Sequence, residues 1–314
     1  MSFPLFPVNA STGASRVDEL YFFLTGASVV ILALVFLPMF YCLLKYRRGH
    51  IADRTMPRLS TLKIEITWTL VPLLIAMVMF AWGARAYFVM EVPPADALEI
   101  NIVGKQWMWK VKHQEGNREI NELHIPVGRP VKLTLGSEDV IHSFFIPAFR
   151  VKQDVVPGRF STEWFRPTRP GEYHLFCAEY CGMDHSKMVG TVYVMAPAAY
   201  QVWLNQSATG DTLAQSGAAL FRTLGCSGCH VGNSAIRSPR LEGLYGRLVP
   251  LQNGQIVRAD DKYIRDSILL PASQITAGYQ PLMPTFQGRI TEEELFQLIA
   301  YVKSIANKQP EAVR

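Results

Sequence analysis

An uncharged run over residues 21–44 most restricts how this 314-residue chain can fold. A helix of that length can cross a bilayer. Inside lipid the backbone polar groups must be satisfied within the segment, so such a run forms a helix. A second uncharged run, residues 66–83, lies between Glu65 and Arg85. The sequence therefore predicts a transmembrane helix hairpin over residues 21–90, preceded by an outer-face lead-in of residues 1–20.

The loop between the two runs, residues 45–63, predicts the orientation of the hairpin. It holds six Lys or Arg residues and one Asp, so its charge of +5 equals the net charge of the whole chain. Short basic loops stay in the cytoplasm. The rest of the chain is neutral in sum, which argues against a nucleic-acid-binding face. We expect a bacterial inner-membrane protein with its N-terminus and C-terminal domains on the periplasmic side.

A short segment, residues 177–188, concentrates potential metal ligands. It contains Cys177, Cys181, His185 and Met188, and another histidine, His142, lies upstream. Sulfur and imidazole ligands favour copper, zinc or iron–sulfur over magnesium or calcium. Two Cys and two His would also complete a closed zinc site, and two cysteines can form a disulfide in an oxidising compartment. The thioether favours copper, because a long axial Met is typical of copper sites.

The residues around this segment predict a β-sandwich over residues 91–195. Apolar and polar residues alternate over residues 99–103 and 130–135, the period of a half-buried strand, and Gly and Pro separate such stretches. Short strands at this spacing favour a sandwich. Residues 196–212 then predict a linker.

The last part of the chain, residues 213–314, contains Cys226-Ser-Gly-Cys229-His230, the pattern of covalent c-type haem attachment. A thioredoxin-like motif is disfavoured because no βαβ pattern surrounds it. Beyond residue 196, His230 is the only histidine and Met283 the only methionine. A six-coordinate His/Met haem therefore has one candidate for each side, although Met283 could also be a core filler. Helical patterns, including a capping box at Thr291, predict an all-α domain.

Three motifs together resemble subunit II of haem–copper cytochrome c oxidases over about residues 20–205. They are His142-Ser-Phe-Phe-Ile-Pro, Lys152-Gln-Asp-Val-Val-Pro-Gly-Arg159 and the Cys-x3-Cys-x3-His-x2-Met run. The resemblance implies a binuclear copper centre, CuA, on a cupredoxin-like β-sandwich. It implies that Cys177 and Cys181 bridge two coppers and that each copper is capped by a histidine, His142 or His185. Weak axial ligands would be Met188 and the backbone carbonyl of Glu179.

The same resemblance suggests roles for three further residues. Trp107, in Gln106-Trp-Met-Trp, would receive electrons, where the alternative is an aromatic residue packed in a core. The Glu179 side chain would bind Mg or Mn at the interface with subunit I. Glu65, in Glu65-Ile-Thr-Trp, resembles the mouth of a proton pathway, whereas by itself it suggests a carboxylate at the membrane boundary.

With the class I-like cytochrome c domain, the layout resembles the caa3 type of oxidase. This implies that electrons pass from an external cytochrome c or other donor through haem c and CuA to haem a of subunit I. Oxygen reduction coupled to proton pumping would take place there, and subunit III would be a further partner. The alternative is a free-standing membrane-tethered redox carrier or copper-handling protein. A quinol-oxidase subunit would not need the sulfur ligands, and nitrous-oxide reductase does not match the hairpin and haem.

Charge and linker length give an expectation for how the two outer domains meet. Residues 91–207 sum to −1 and residues 208–314 to +2, so strong electrostatic steering between them is not expected. A flexible linker would supply a high effective concentration instead. The sequence therefore predicts a tethered domain and weakly salt-dependent electron transfer.

Overall fold

The computed structural model describes residues 6–53, 61–206, 212–231 and 236–306. Two long helices, α1 (Thr12–Lys45) and α2 (Thr61–Glu91), form the hairpin, and both are long and apolar enough to cross a membrane. Residues 54–60 of the predicted cytoplasmic loop and residues 1–5 of the lead-in lie outside the described residues. The first helix begins nine residues before the uncharged run, because the Ser11 side chain accepts a hydrogen bond from the Ala14 amide and caps it.

The segment around this cap fastens the first helix to the outer domain. Ser11 Oγ donates to the carbonyl of Phe149 at 2.9 Å, and the Ala10 amide donates to the carbonyl of Ala148 at 3.0 Å. The Arg150 guanidinium donates to Asp18 Oδ1 at 2.8 Å. Residues 10–18 of the predicted lead-in are thus part of the surface of the outer domain.

Ten strands form the predicted sandwich. They are β1 (Leu98–Lys105), β2 (Met108–His113), β3 (Arg118–Ile120), β4 (Glu122–Pro126), β5 (Val131–Ser137), β6 (His142–Ile146), β7 (Val151–Val155), β8 (Ser161–Phe165), β9 (Gly171–Cys177) and β10 (Val189–Met195). The first sheet has the order β3-β2-β1-β5-β8 and the second β4-β10-β9-β6-β7. Pairs β1/β5 and β4/β10 are parallel and the others antiparallel. Alternate residues such as Ile100, Ile102, Leu133 and Leu135 fill the core between the sheets.

Part of the predicted linker is a helix, α3 (Pro197–Gln206), that belongs to the sandwich. Its Tyr200 and Leu204 are buried in the same core as the strands. Residues 207–211 of the linker lie outside the described residues. The segment between α3 and α4 is therefore shorter than the 17-residue linker that composition alone suggested.

The C-terminal domain is mainly helical. Its helices are α4 (Leu213–Thr223), α5 (Ser227–His230), α6 (Asp261–Leu269) and α7 (Glu292–Ser304). The predicted capping box at Thr291 is confirmed, since Thr291 and Glu294 bond each other's backbone amides. A two-stranded hairpin, β11 (Leu248–Pro250) with β12 (Ile256–Arg258), was not predicted. Strands of three residues are too short to give a period in the sequence.

Candidate metal centre and haem pocket

The predicted metal ligands converge at one end of the sandwich. Strands β6 and β9 pair with Phe144 opposite Cys177, which brings His142 close to Cys177. The chain after β9 folds back into a 3₁₀ turn, His185–Lys187, before β10. This return is local, so a segment of twelve residues can supply four of the ligands.

The sulfur and nitrogen atoms of the cluster lie within about 4 Å of their neighbours. Cys177 Sγ is 3.8 Å from Cys181 Sγ and 4.0 Å from His142 Nδ1. Cys181 Sγ is 3.5 Å from His185 Nδ1 and 3.8 Å from Met188 Sδ. The Glu179 carbonyl oxygen is 3.3 Å from Cys177 Sγ. Each thiol is thus paired with a different histidine, the thioether lies beside Cys181, and both cysteines are free thiols.

Asp139 sets the orientation of His142, and the sequence analysis did not identify it. His142 Nε2 donates to Asp139 Oδ1 at 2.8 Å, which fixes the ring with Nδ1 on the side of Cys177. The other carboxylate oxygen accepts the Gln106 amide at 2.7 Å. Burial alone would raise the pKa of Asp139, but these hydrogen bonds outweigh it and lower the pKa. The only signal in the sequence is an acidic residue three positions before His142.

The two thiols ionise in different surroundings. Burial favours the neutral form of Cys177, but hydrogen bonds from His142 and from backbone groups lower its pKa to about 6. Burial and the neighbouring Cys177 thiolate together raise the pKa of Cys181 to about 12. A cation between the two sulfurs would remove this repulsion and let both thiolates ligate. This donor set of two thiols, two imidazoles and a thioether fits copper.

Trp107 and Gln106 hold the loop that carries Cys181. Gln106 Nε2 donates to the Cys181 carbonyl at 2.8 Å, and Trp107 Nε1 donates to the same oxygen at 3.2 Å. Trp107 is half-buried rather than fully exposed. The side chain of Glu179 points to solvent, and Glu65 lies exposed on α2, remote in sequence from the cluster.

A separate cavity of about 270 Å³ lies inside the C-terminal domain. Its lining includes all four residues predicted to hold haem, Cys226, Cys229, His230 and Met283. Most of the rest of the lining is apolar, with side chains such as Phe221, Leu224, Ile264, Leu298 and Val302. An apolar cavity with thiols, an imidazole and a thioether on its wall fits a covalently attached haem.

The orientation of the His230 ring also fits a haem in this cavity. His230 Nδ1 is 2.9 Å from the carbonyl oxygen of Pro239, which can only accept, so Nδ1 carries the proton. The other ring nitrogen, Nε2, then keeps a free lone pair for a metal. Short helix α5 spans the motif and holds Cys226 and His230 on one turn, with the His230 amide bonded to the Cys226 carbonyl at 3.0 Å.

A second polar cluster, His113–Glu119–His124, was also missed by sequence reasoning. Glu119 Oε1 accepts from His113 Nε2 at 2.8 Å, and its other oxygen contacts His124 Nδ1. The His124 ring stacks on Trp203 of α3, with centroids 4.5 Å apart. The two hydrogen bonds join strands of the sandwich, and the ring stack together with the 3.3 Å hydrogen bond between His113 Nδ1 and the Tyr200 hydroxyl fastens α3 to it. The residues meet only through strand pairing, so their spacing carries no signal.

Three family models match this chain. The transmembrane domain of cytochrome c oxidase subunit II matches residues 2–83, and the periplasmic domain of the same subunit matches residues 118–195. A cytochrome c model matches residues 214–306. The order of the matches agrees with the hairpin, the sandwich and the helical domain of the structure.

Several relatives carry the same subunit name. Cytochrome c oxidase subunit 2 of Alkalihalophilus pseudofirmus is 28% identical over 301 residues, covering 88% of this chain and 85% of the relative. That of Synechocystis sp. is 28% identical over 256 residues, covering 66% and 77%. The crystal structure of the periplasmic domain of subunit II of cytochrome oxidase from Bradyrhizobium japonicum is 29% identical. It covers 37% of this chain and 96% of its own, with a TM-score of 0.36.

These features define a class: a membrane-anchored redox protein with a cupredoxin-like metal domain and a cytochrome c domain. The two subunit II models together match just over half of the chain. The chain therefore belongs to the cytochrome c oxidase subunit II family, with a cytochrome c domain at its C-terminal end. As in the caa3 type, this subunit is part of a haem–copper terminal oxidase.

Proposed function

We propose that this chain is the subunit through which electrons enter the oxidase. An external donor, a cytochrome c or another redox protein, reduces the cytochrome c domain. Electrons then pass to the cupredoxin domain and on to haem a of subunit I, where O2 is reduced with proton pumping. The single observation that carries this proposal is the convergence of two thiols, two imidazole Nδ1 atoms and a thioether at one end of the sandwich.

The cupredoxin domain would hold a binuclear copper centre. Cys177 and Cys181 would supply its two thiolates, and the two histidines, which lie beside different sulfurs, would supply its nitrogen ligands. Met188 and the carbonyl of Glu179, which also lie beside the sulfurs, would be weaker ligands. In the cytochrome c domain, Cys226 and Cys229 would attach haem c, and His230 and Met283 would ligate its iron. When bound, both groups supply reversible one-electron oxidation and reduction.

The protein's own contribution is a site that moves little when its charge changes. Asp139 fixes the His142 ring, and Gln106 and Trp107 fix the carbonyl of Cys181. Met188 is fully buried. Ligands held by such contacts keep their positions in both oxidation states, which keeps the reorganisation needed for electron transfer small. Because Trp107 touches the Cys181 loop and is half-exposed, we assign it as the residue that passes electrons inward.

Membership of an oxidase implies partners. We propose that subunit I, and with it subunit III, packs against the hairpin in a bacterial inner membrane, with the outer domains on the periplasmic side. Glu179, whose side chain is exposed at the metal end, would bind Mg or Mn at the subunit I interface. Glu65 would lie at the cytoplasmic mouth of a proton pathway. Unchanged oxygen consumption in Glu65→Gln would refute that role.

The proposal is tested by metal and haem analysis of the purified oxidase. We expect two coppers and one covalent haem per copy of this chain, with an electron paramagnetic resonance signal of one electron shared between two coppers. Stoichiometric zinc without copper would contradict the metal assignment. The alternative is a free-standing membrane-tethered carrier or copper-handling protein. It predicts that the chain, solubilised in detergent and purified, carries no haem a-containing partner with it.

A further inference from the structure

The outer face of the first sheet is covered by the cytochrome c domain rather than by solvent. Asn101 and Thr134 point away from the sandwich core, yet they are only 7% and 5% exposed. Helix α7 lies over them, with Phe296 and Ala300 buried on its underside. A gap between the two surfaces has a volume of about 10 Å³, which is room for about one water molecule.

Helix α7 has two different faces. Leu298 and Val302 line the haem cavity. Glu293, Phe296 and Lys303 are spaced three and seven residues apart, so they share the opposite face, which meets the sheet. One helix therefore separates the haem cavity from the cupredoxin domain and contacts both.

An aromatic side chain anchors the contact. Phe160 lies in the turn before β8 of the sandwich, but it packs against the hydrophobic core of the cytochrome c domain. Its ring stacks on Phe296 with centroids 4.6 Å apart and an interplanar angle of 11°. The guanidinium of Arg265, itself held by Glu292 at 3.0 Å, covers the ring at 5.2 Å. A partly buried aromatic side chain packed between another ring and a cation is typical of an interface anchor.

Two groups of ion pairs flank this anchor. At the end nearer the metal loop, Glu293 of α7 pairs with Lys110 at 3.0 Å and also contacts Lys112. At the other end, four side chains form a ring of alternating charge. Lys303 lies 2.8 Å from Glu99 and 3.1 Å from Asp261, and Lys132 lies 3.0 Å from Glu99 and 3.7 Å from Asp261.

The charges in this ring stabilise one another across the domain boundary. Burial alone would raise the pKa of Glu99, but Lys303 and Lys132 outweigh it and lower the pKa. Burial alone would lower the pKa of Lys303, and Asp261 and Glu99 instead raise it. Each domain contributes one acid and one base, so the net charges of the domains give no sign of the complementarity.

We propose that the outer face of the first sheet is a dedicated docking surface for the chain's own cytochrome c domain, anchored by Phe160 and oriented by the two groups of ion pairs. The cytochrome c domain is held in one place and does not swing on a tether. An external donor then meets the cytochrome c domain on a face other than α7. This inference concerns domain placement and holds whether or not the proposed electron route is correct.

Zero-length carbodiimide cross-linking of the full chain in the purified oxidase tests the proposal, because this reagent joins only amines and carboxylates already in contact. We expect peptide mapping to find the interdomain amide links Lys303–Glu99 and Lys112–Glu293. The link Lys262–Asp266 within α6, a contact of 2.6 Å, is the internal control. Recovery of the control link without either interdomain link would overturn the proposal.

Variants separate docking from folding. In Phe160→Ala/Glu293→Lys we expect the Lys303–Glu99 link to fall by roughly tenfold, since the changes remove a stacked ring and place a third positive charge beside Lys110 and Lys112. The charge swap Lys112→Glu/Glu293→Lys should retain the wild-type yield. The matched reversal Lys262→Glu should leave the Lys303–Glu99 link unchanged. Intact haem and copper spectra show that each domain has folded, and an undiminished link in the first variant with those spectra would refute the docking surface.

Discussion

Cys177 and Cys181 are equivalent in the sequence but not in the structure. Hydrogen bonds from His142 and backbone groups favour the Cys177 thiolate despite its burial, whereas Cys181 is buried beside that negative charge. The two thiols therefore depend on each other for ionisation, and a bridged metal centre requires both thiolates.

This dependence leads to a prediction for single substitutions. Cys177→Ser or Cys181→Ser should abolish the shared-electron copper signal, because either change removes a bridging sulfur. Copper content and the electron paramagnetic resonance spectrum of the oxidase measure the effect. Cys42→Ser, which alters an exposed thiol of α1, is the matched control and should leave both unchanged. A normal signal in either bridging variant would contradict the ligand assignment.

Glu119 gives a prediction of pH dependence. Burial alone would raise its pKa, but His113 and His124 outweigh burial and lower it to about 2. A depressed carboxyl pKa stabilises the fold above the unfolded pKa of about 4 and loses that effect as the pH falls toward 2. The contribution at neutral pH is on the order of 3 kcal/mol.

We therefore expect Glu119→Gln to lower the thermal midpoint of the sandwich at pH 7 and to approach the wild type as the pH falls from about 4 to 2. Circular dichroism melts of the full chain in detergent over that pH range provide the measurement. Glu122→Gln changes an exposed carboxylate three residues away and should have little effect. A difference that stays constant with pH would show that Glu119 is not ionised in the fold.

At the scale of secondary-structure elements, the sequence predicted those features that depend on residues close together in the chain. The helices over the uncharged runs, the strands β1 and β5 and the capping box of α7 depend on patterns of nearby residues, and the structure confirms them. The expected half-burial of β1 and β5 is wrong, because the cytochrome c domain covers their outer face. The four candidate ligands from Cys177 to Met188 could be grouped for the same reason, and the structure brings them together. The start of α1 at Thr12 was not, because a polar first turn docked on the sandwich carries no hydropathy signal.

Contacts between distant elements could not be predicted from spacing. Glu99 and Lys303 are 204 residues apart, and His113 and Tyr200, which lie 3.3 Å apart, come from β2 and α3. Their meeting depends on sheet order and on how α7 lies across it. Asp139 is an intermediate case, because it is close to His142 in sequence but its bond to Gln106 crosses between strands.

A glycine allows α4 and α7 to pack closely where they cross. At Gly217 a side-chain methyl group would overlap the carbonyl oxygen of Gln297, because the two helices approach backbone to backbone. Both helices also border the haem cavity through Phe221 and Leu298. Overpacking at such a position costs about 1–3 kcal/mol or more.

Gly217→Ala should therefore lower the thermal midpoint of the cytochrome c domain, followed at the haem absorption band, by several degrees or more. Gly26→Ala, in α1 and outside the cytochrome c domain, is the control, since a methyl group there meets no atom within 4 Å. Equal midpoints for the two variants would show that α4 and α7 are not closely packed at this point.

For the whole molecule, the two outer domains are docked on each other, whereas the sequence predicted that a flexible tether joins them. Composition suggested two weakly charged domains joined by a flexible segment, but α3 occupies most of that segment and buries Tyr200 in the sandwich. The net charges of the two domains also gave no indication of the interface, because each of the two contacting surfaces carries both acidic and basic side chains. Ion pairs of this kind are partly removed from solvent, so mobile ions screen them less than exposed charges.

Two kinetic signatures follow for electron transfer between the domains. In a docked chain the rate is independent of enzyme concentration, because no encounter between molecules is required. It should also change by no more than roughly twofold between low and high ionic strength, since half-buried pairs are weakly screened.

Phe160→Ala/Glu293→Lys should slow this transfer and make it salt-sensitive, while Lys262→Glu should match the wild type. Rapid mixing with a reduced donor at several enzyme and salt concentrations measures all of these. A rate that rises with enzyme concentration, or that falls steeply with salt in the wild type, would mean that the two domains meet by encounter between molecules.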